Sequence, residues 1–284
     1  MKRIISIQDI SCVGKCSLTT ALPIISAAGV EAAVLPTAVL STHTAFPKFT
    51  FKDLTDELEP ISETFTELGI GFDAVYTGYL GSFKQLDFVN SFIERFKTKD
   101  TTVFIDPVMG DNGGLYTGFT QEFADRMTDL CSKADLITPN MTEASFMLKI
   151  PYKEHYTEAY VKDILKALAD LGAKRTAITG ISFDADNIGV YMYDAVSDEY
   201  YSYFNKKFPA VFHGTGDIFA ASALGAYMRG NSLLDSLSLA VDYTLECINY
   251  TVKDPNHRTY GVNFEEALPM YIERLSKQEE TSCR

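Results

Sequence analysis

Two rhythms of apolar and polar positions alternate along this chain. Short, nearly unbroken apolar runs occur at 3–8 (RIISIQ), 32–40 (AAVLPTAVL), 73–80 (DAVYTGYL), 101–108 (TTVFIDPV), 134–140 (ADLITPN) and 174–180 (KRTAITG). They predict buried strands. Between several of them lie segments with helical spacing: Lys84–Phe96, Gln121–Cys131 and Glu158–Leu171. This alternation predicts an α/β fold, with a mostly parallel central sheet flanked by helices on both faces. After Gly180 the rhythm changes. IGVYMY (188–193) and EYYSYF (199–204), joined through DAVSD, predict an antiparallel hairpin, and from Asp217 onward the pattern is mainly helical. No low-complexity linker or internal repeat interrupts the pattern, so a single domain over 1–284 is expected.

Ligands of such sheets gather at the carboxyl ends of the strands. Polar residues recur at that boundary. Asp9 follows the first run, Thr44 the second, and Tyr79 ends the third. Asp106 ends VFID, Asn140 and Glu143 follow LITP, and Thr179 ends TAIT. Any one of them alone reads as a cap or turn residue; their shared position predicts one polar crevice.

Composition narrows the class of ligand. Lys and Arg total 25 against 38 Asp and Glu, a net charge of −13. So acidic a chain is poorly suited to nonspecific nucleic-acid binding, which depends on neutralising phosphates. A small anion needs only a local set of donors. The five cysteines (Cys12, Cys16, Cys131, Cys247, Cys283) are scattered and odd in number. They suggest reduced thiols rather than a disulfide framework or a zinc site. Asp9 breaks the first apolar run too early for a signal peptide, and no run is long enough for a membrane span. A soluble, cytoplasmic protein is expected.

The stretch VGKCSLTT (13–20) resembles the tail of a phosphate-binding P-loop, but the pattern G-x-x-x-x-G-K-[ST] fails at both ends. Asp9 stands where the first glycine belongs, and Cys16 follows Lys15. A strand-to-helix turn with Ser17 as the cap, and Lys15 as a solvated surface lysine, is the preferred reading.

FHGTGDIFAAS (212–222) is the sharpest chemical motif. Gly214 and Gly216 flank Thr215 just before an apolar helix, where free N–H groups and the helix dipole suit an anion. Asp217 is then either the N-cap of a tight turn or a base that accepts the proton of an attacking hydroxyl. DPVMGD places Asp106 and Asp111 around a turn. TPNMTEA places Thr138, Asn140 and Glu143 at a helix entrance. Each segment reads as a turn or a capping box, or as a holder of magnesium beside a triphosphate. Together with GTGD, the two segments favour the phosphoryl-transfer reading.

In order along the chain, SIQ (6–8), STHT (41–44), TGYLGS (77–82), DPVMGD, ITPNMTEA and GTGDIFAA resemble the pyridoxal/pyridoxamine kinase family of the ribokinase-like superfamily. The resemblance implies a ribokinase-like fold and ATP-dependent phosphorylation of the 5'-hydroxymethyl group of a vitamin B6 vitamer. It implies Asp217 as catalytic base and Gly214, Thr215 and Gly216 as an anion hole. It places Asp106, Asn140, Glu143, Thr179 and Thr215 on ATP, with Asp106 and Glu143 attending Mg2+. It places Asp111 and Thr138 near a monovalent cation such as K+. Asp9, Thr44 and Tyr79 fall on the vitamin side with Asp217. A homodimer is also implied.

The chain departs from the family pattern where IQS becomes IQD, at Asp9, and where VGN becomes GKCS. A carboxylate facing the vitamin would favour pyridoxamine, whose ammonium group pairs with it. His43 either touches substrate or braces the loop after the second strand. The rival readings are a hydroxymethylpyrimidine kinase of the same superfamily, whose Gly/Ser-rich first turn is missing here, and a non-catalytic sensor, which would have no need of Asp217.

Overall fold

The computed structural model describes residues 1–44, 46–210 and 212–282. The order of elements is β1 (Arg3–Ser11), α1 (Leu18–Ala27), β2 (Glu31–Leu40), β3 (Phe51–Asp53), α2 (Thr55–Glu67), β4 (Ala74–Thr77), α3 (Phe83–Phe96) and β5 (Thr102–Ile105). A small ribbon of β6 (Gly110–Asp111) and β7 (Gly114–Leu115) precedes α4 (Gln121–Cys131), β8 (Leu136–Ile137), α5 (Met141–Leu148) and α6 (Glu158–Asp170). The chain continues through β9 (Arg175–Ile181), β10 (Asn187–Asp194), β11 (Glu199–Lys206), α7 (Thr215–Arg229), α8 (Leu233–Lys253) and α9 (Phe264–Ser282).

A nine-stranded sheet runs β11-β10-β9-β8-β5-β4-β1-β2-β3. Pairings from β2 through β1, β4, β5 and β8 to β9 are parallel, and the predicted hairpin closes one edge as antiparallel β10–β11. Its strands read as unbroken apolar runs because both faces are covered. Ile4, Tyr76, Phe104, Leu136 and Ala177 pack under α1, α7, α8 and α9. Their neighbours Ile5, Val75, Val103, Ile137 and Ile178 pack under helices from the other half of the chain, including α3, α4 and α6. The alternation of side chains along each strand thus feeds two cores from one sequence.

Two elements lacked a sequence signal. β3 is three residues long, and α2 buries only Leu58 and Ser62, so neither carries a clear apolar stripe. Side-chain caps start the predicted helices: Ser82, Thr120 and Thr157 each accept the N–H three residues on. Ser17 is an exception to the expectation. It occupies the N-cap position of α1 at φ 49° but makes no side-chain cap. Among the described residues Cys12, Cys16, Cys131 and Cys247 are free thiols; Cys283 lies outside them. No helix among those residues is long and apolar enough to cross a membrane.

Candidate active site

Strand order reverses around β1, which has β2 on one side and β4 on the other. The crevice beyond the carboxyl ends at such a switch point is where α/β sheets bind ligands. A cleft of about 460 Å3 opens at the carboxyl ends of β5, β8 and β9 in the same sheet. It gathers Asp106, Asp111, Thr138, Asn140, Glu143, Thr179, Gly214, Thr215, Gly216 and Asp217, residues drawn from segments more than a hundred positions apart.

The GTG turn is built around Gly214, the N-cap of α7, at φ 79°. A Cβ there would fall 1.9 Å from the Lys15 carbonyl oxygen, so only glycine fits. Glycine also supplies no side-chain cap, which leaves the first N–H groups of α7 for an anion. Asp217 is therefore not the N-cap; it sits in the first turn of the helix. Burial pushes its carboxyl up to about 7, with the Ser17 backbone N–H pulling it down and the Asp9 carboxylate adding to the rise. A carboxyl poised there can take a proton at neutral pH.

Asn140 and Glu143 form a full capping box at α5. The Asn140 side chain accepts the Glu143 N–H at 2.9 Å, and Glu143 Oε2 accepts the Asn140 N–H at 2.8 Å. Glu143 Oε1 also accepts the Met109 N–H at 3.1 Å, and Asn140 Nδ2 donates to the Gly110 carbonyl at 2.9 Å. The cap thus ties α5 to the DPVMGD turn. Burial raises the carboxyls of both Asp106 and Glu143; the Glu143 charge lifts Asp106 further. Thr138 lies beside them with its hydroxyl buried and unpaired. Oxygen donors that are acidic, buried and short of cations suit a hard divalent ion. Among the described residues no three His, Cys, Asp or Glu side chains converge into a cage, so such an ion would need further oxygens from a bound phosphate chain. Asp111 is exposed and accepts both Asn112 donors. Thr179 lies inside β9, short of its end, and its N–H bonds the Pro139 carbonyl.

The residues that the resemblance puts on the vitamin side are less gathered. Asp9 does not follow β1; it lies within that strand, at a slip in the β1–β2 pairing. It is 6% exposed, accepts the Ser17 hydroxyl at 2.7 Å, and is raised by burial. Tyr79 stands beyond β4 and packs against Phe119; burial and the Asp9 charge raise its hydroxyl. Thr44 lies on an exposed turn and does not join the cleft lining. His43 is a brace, as one of its two readings held: it is buried, with Nε2 2.9 Å from the Tyr260 carbonyl and its ring against Phe46, Tyr260 and His213.

Several lining residues escaped the sequence reading. Lys207 is the one Lys or Arg among the described residues of the cleft wall. Tyr116 faces Glu143, Asp111, Asp106 and Asp217, which with burial raise its hydroxyl. Val241, Leu245 and Ile248 on α8 supply an apolar wall. Their i, i+4, i+7 spacing was visible, but every core helix shows the same stripe.

The sequence profile of the phosphomethylpyrimidine kinase family matches residues 20–262. A Bacteroides thetaiotaomicron protein, provisionally assigned as a phosphomethylpyrimidine kinase and crystallised with pyridoxal, is 39% identical with a TM-score of 0.90, covering 95% of each chain. Pyridoxal kinase from Lactobacillus plantarum is 30% identical with a TM-score of 0.89, over 96% of this chain and 98% of its own. Pyridoxal kinase from Dictyostelium discoideum is 26% identical over 275 residues, 90% of this chain and 87% of its own. With a family profile over most of its length and a pyridoxal kinase matched nearly end to end, this chain belongs to the phosphomethylpyrimidine kinase family, within its pyridoxal kinase group.

Proposed function

We propose that this chain, acting as one domain, transfers the γ-phosphoryl group of ATP to the 5'-hydroxymethyl group of a vitamin B6 vitamer, with Asp217 as the base. The observation that carries the reading is a half-buried carboxyl, raised to about 7, three residues after the uncapped glycine N-cap of α7. Asp217 takes the hydroxyl proton as the substrate oxygen bonds to the γ-phosphorus. The bond from that phosphorus to the bridging oxygen breaks, and ADP leaves with the electron pair. The N–H groups of Gly214, Thr215 and Gly216 face the charge on the transferring group. Asn140, Thr179 and Thr215 line the nucleotide path. Asp106 and Glu143 would hold Mg2+, which supplies neutralisation of the phosphate oxygens. The unpaired Thr138 hydroxyl supports a second, monovalent site such as K+, with Asp111 across the cleft. Tyr79 and Asp9 border the ring of the vitamin, and Thr44 could reach it only if its turn folds inward. A cytoplasmic homodimer completes the reading.

Hydroxymethylpyrimidine is the competing acceptor, since the family profile is named for a kinase of a related methylpyrimidine, phosphomethylpyrimidine. Purified protein with ATP and magnesium is offered pyridoxal, pyridoxamine, pyridoxine and hydroxymethylpyrimidine in turn, and the phosphorylated product is measured by chromatography. The vitamers should be phosphorylated well ahead of the pyrimidine. Preference for the pyrimidine would overturn the substrate, and ATP consumption with none of them would return the chain to the sensor reading.

A further inference from the structure

The VGKCS turn is no P-loop, yet it lies against the site. Lys15 is not the solvated lysine that the sequence suggested. Its side chain is 14% exposed, with Nζ 2.8 Å from Glu265 Oε2 and 3.4 Å from Asn263 Oδ1. The ammonium also sits 5.7 Å from the centre of the Phe264 ring. These partners belong to the start of α9 and the residue before it, and none of them lines the cleft. The stem is packed as tightly: a Cβ at Gly261 would fall 2.5 Å from Lys15 Cβ.

The backbone of the same turn does meet the site. The Lys15 carbonyl oxygen abuts Gly214, and two residues on, the Ser17 N–H faces the Asp217 carboxylate while the Ser17 hydroxyl donates to Asp9. Ser17 holds this pose at φ 49°, a conformation that costs energy for a residue with a Cβ and persists only where its surroundings enforce it. A single turn therefore touches the anion hole, the base and the first strand, and the one charged side chain on it is tied to residues outside the cleft lining.

We propose that Lys15 is a positioning residue: its anchored side chain holds the 13–17 turn against Gly214 and Asp217, so that the anion hole and the base keep their spacing for phosphoryl transfer. This rests on the kinase reading above. It assigns Lys15 no contact with phosphate. Loosening the anchor should cost turnover rather than nucleotide affinity, because misplacement of reacting groups acts on the transition state.

The test uses Lys15→Met, which keeps the stem and removes the ion pair, with Lys15→Arg, Glu265→Gln and the pair Lys15→Met/Glu265→Gln. Lys2→Met, which breaks the remote surface pair with Asp73, is the control. Lys15→Met should lower kcat about tenfold, with KM for ATP and for the vitamin each within about twofold of wild type. Lys15→Arg should recover most of the loss, and the double variant should be no worse than Lys15→Met, since both break one interaction. Amide exchange of residues 214–217 should rise in Lys15→Met and not in Lys2→Met. Unchanged kcat in Lys15→Met overturns the proposal. So does a rise in KM for ATP with kcat preserved, which would make Lys15 a phosphate contact, or a loss matched entirely by a smaller folded fraction. If the wild type itself phosphorylates no vitamer, the kinase reading fails; the amide-exchange arm still judges the anchor.

Discussion

The two ends of the sheet treat acidic residues in opposite ways. At the amino ends, Asp73 and Asp135 each precede a strand and accept an N–H from the first two residues of the strand beside them, Arg3 and Val103, at 2.8 Å. Both have cationic partners: Lys2 at 3.0 Å for Asp73, and Lys174 at 2.6 Å with Lys97 at 3.3 Å for Asp135. Those bonds outweigh desolvation, and both carboxyls lie below their usual range. At the carboxyl ends, Asp9, Asp106 and Glu143 are more deeply buried, and these three and Asp217 make no ion pair among the described residues and are all raised. One end uses charge to close the fold. The other stores charge short of its partners, the condition of a site awaiting cations and a proton to move.

The sharpest way to break this contrast is at Asp217. Asp217→Asn keeps the size of the side chain and removes the proposed base. Turnover should fall on the order of a hundredfold or more, with ADP affinity largely retained. Rapid-quench measurement of the chemical step, beside calorimetric ADP binding, checks both halves. A variant with near-normal turnover would show that the carboxyl ends hold an idle acid.

Glu143 tests the cation shortage. Glu143→Gln can still cap α5, so the helix should stand, but one charge is lost beside Asp106. The magnesium concentration for half-maximal rate should rise about tenfold. An unchanged magnesium curve would place the metal elsewhere.

How much of this was legible depended on how local the signal is. One part of the cleft is assembled from short contiguous motifs whose chemistry is largely backbone: Gly214 for its left-handed turn, and Asn140 with Glu143 for a capping box. Such features can be read from three or four neighbouring residues. Asp217 was legible as an acid after a turn, but its separation from the N-cap needed the helix start fixed at Thr215. The rest of the site comes from loops that meet only in space. Nothing in the sequence says that His43 reaches Tyr260, that Lys15 is tied to Glu265, or that Lys207 lines the cleft. Asp9 was misplaced for a related reason, since β1 runs on to Ser11 past its polar residue.

Stability should separate the two ends next. Asp135 is lowered by folding, so its contribution is complete above the unfolded carboxylate range and is lost as pH falls below about 4. Asp135→Ala should cost on the order of 1–3 kcal/mol at pH 7 and leave kcat within about twofold. Asp217 is raised, so the folded state keeps its proton while the unfolded chain has released it, and stability falls as pH rises from about 4 to about 7. Asp217→Asn should flatten that fall and, at pH 8, raise Tm by a few degrees, on the order of 1 kcal/mol. Thermal melts across pH check both. Equal pH profiles for wild type and Asp217→Asn would remove the strain assigned to the site.

The smallest effect expected concerns Asp9, which the sequence cast as a selector for pyridoxamine. Its setting argues for a different role. The carboxyl is 6% exposed, one oxygen is taken by the Ser17 hydroxyl, and burial favours its neutral form. An acid with little exposed surface and one oxygen held by Ser17 offers an ammonium group little room to pair, and selection by charge needs a partner within reach. Asp9 touches the turn that carries Ser17, so its loss should act on turnover with every vitamer alike. Asp9→Ser should therefore lower kcat for pyridoxal and pyridoxamine together and change the ratio of their kcat/KM values by less than about twofold. Measured against pH, that ratio should also stay flat in the wild type. If it instead falls sharply in Asp9→Ser, and climbs in the wild type as pH rises, then Asp9 ionises toward the vitamin. It would then be the one acid at the carboxyl ends whose missing partner is the substrate itself.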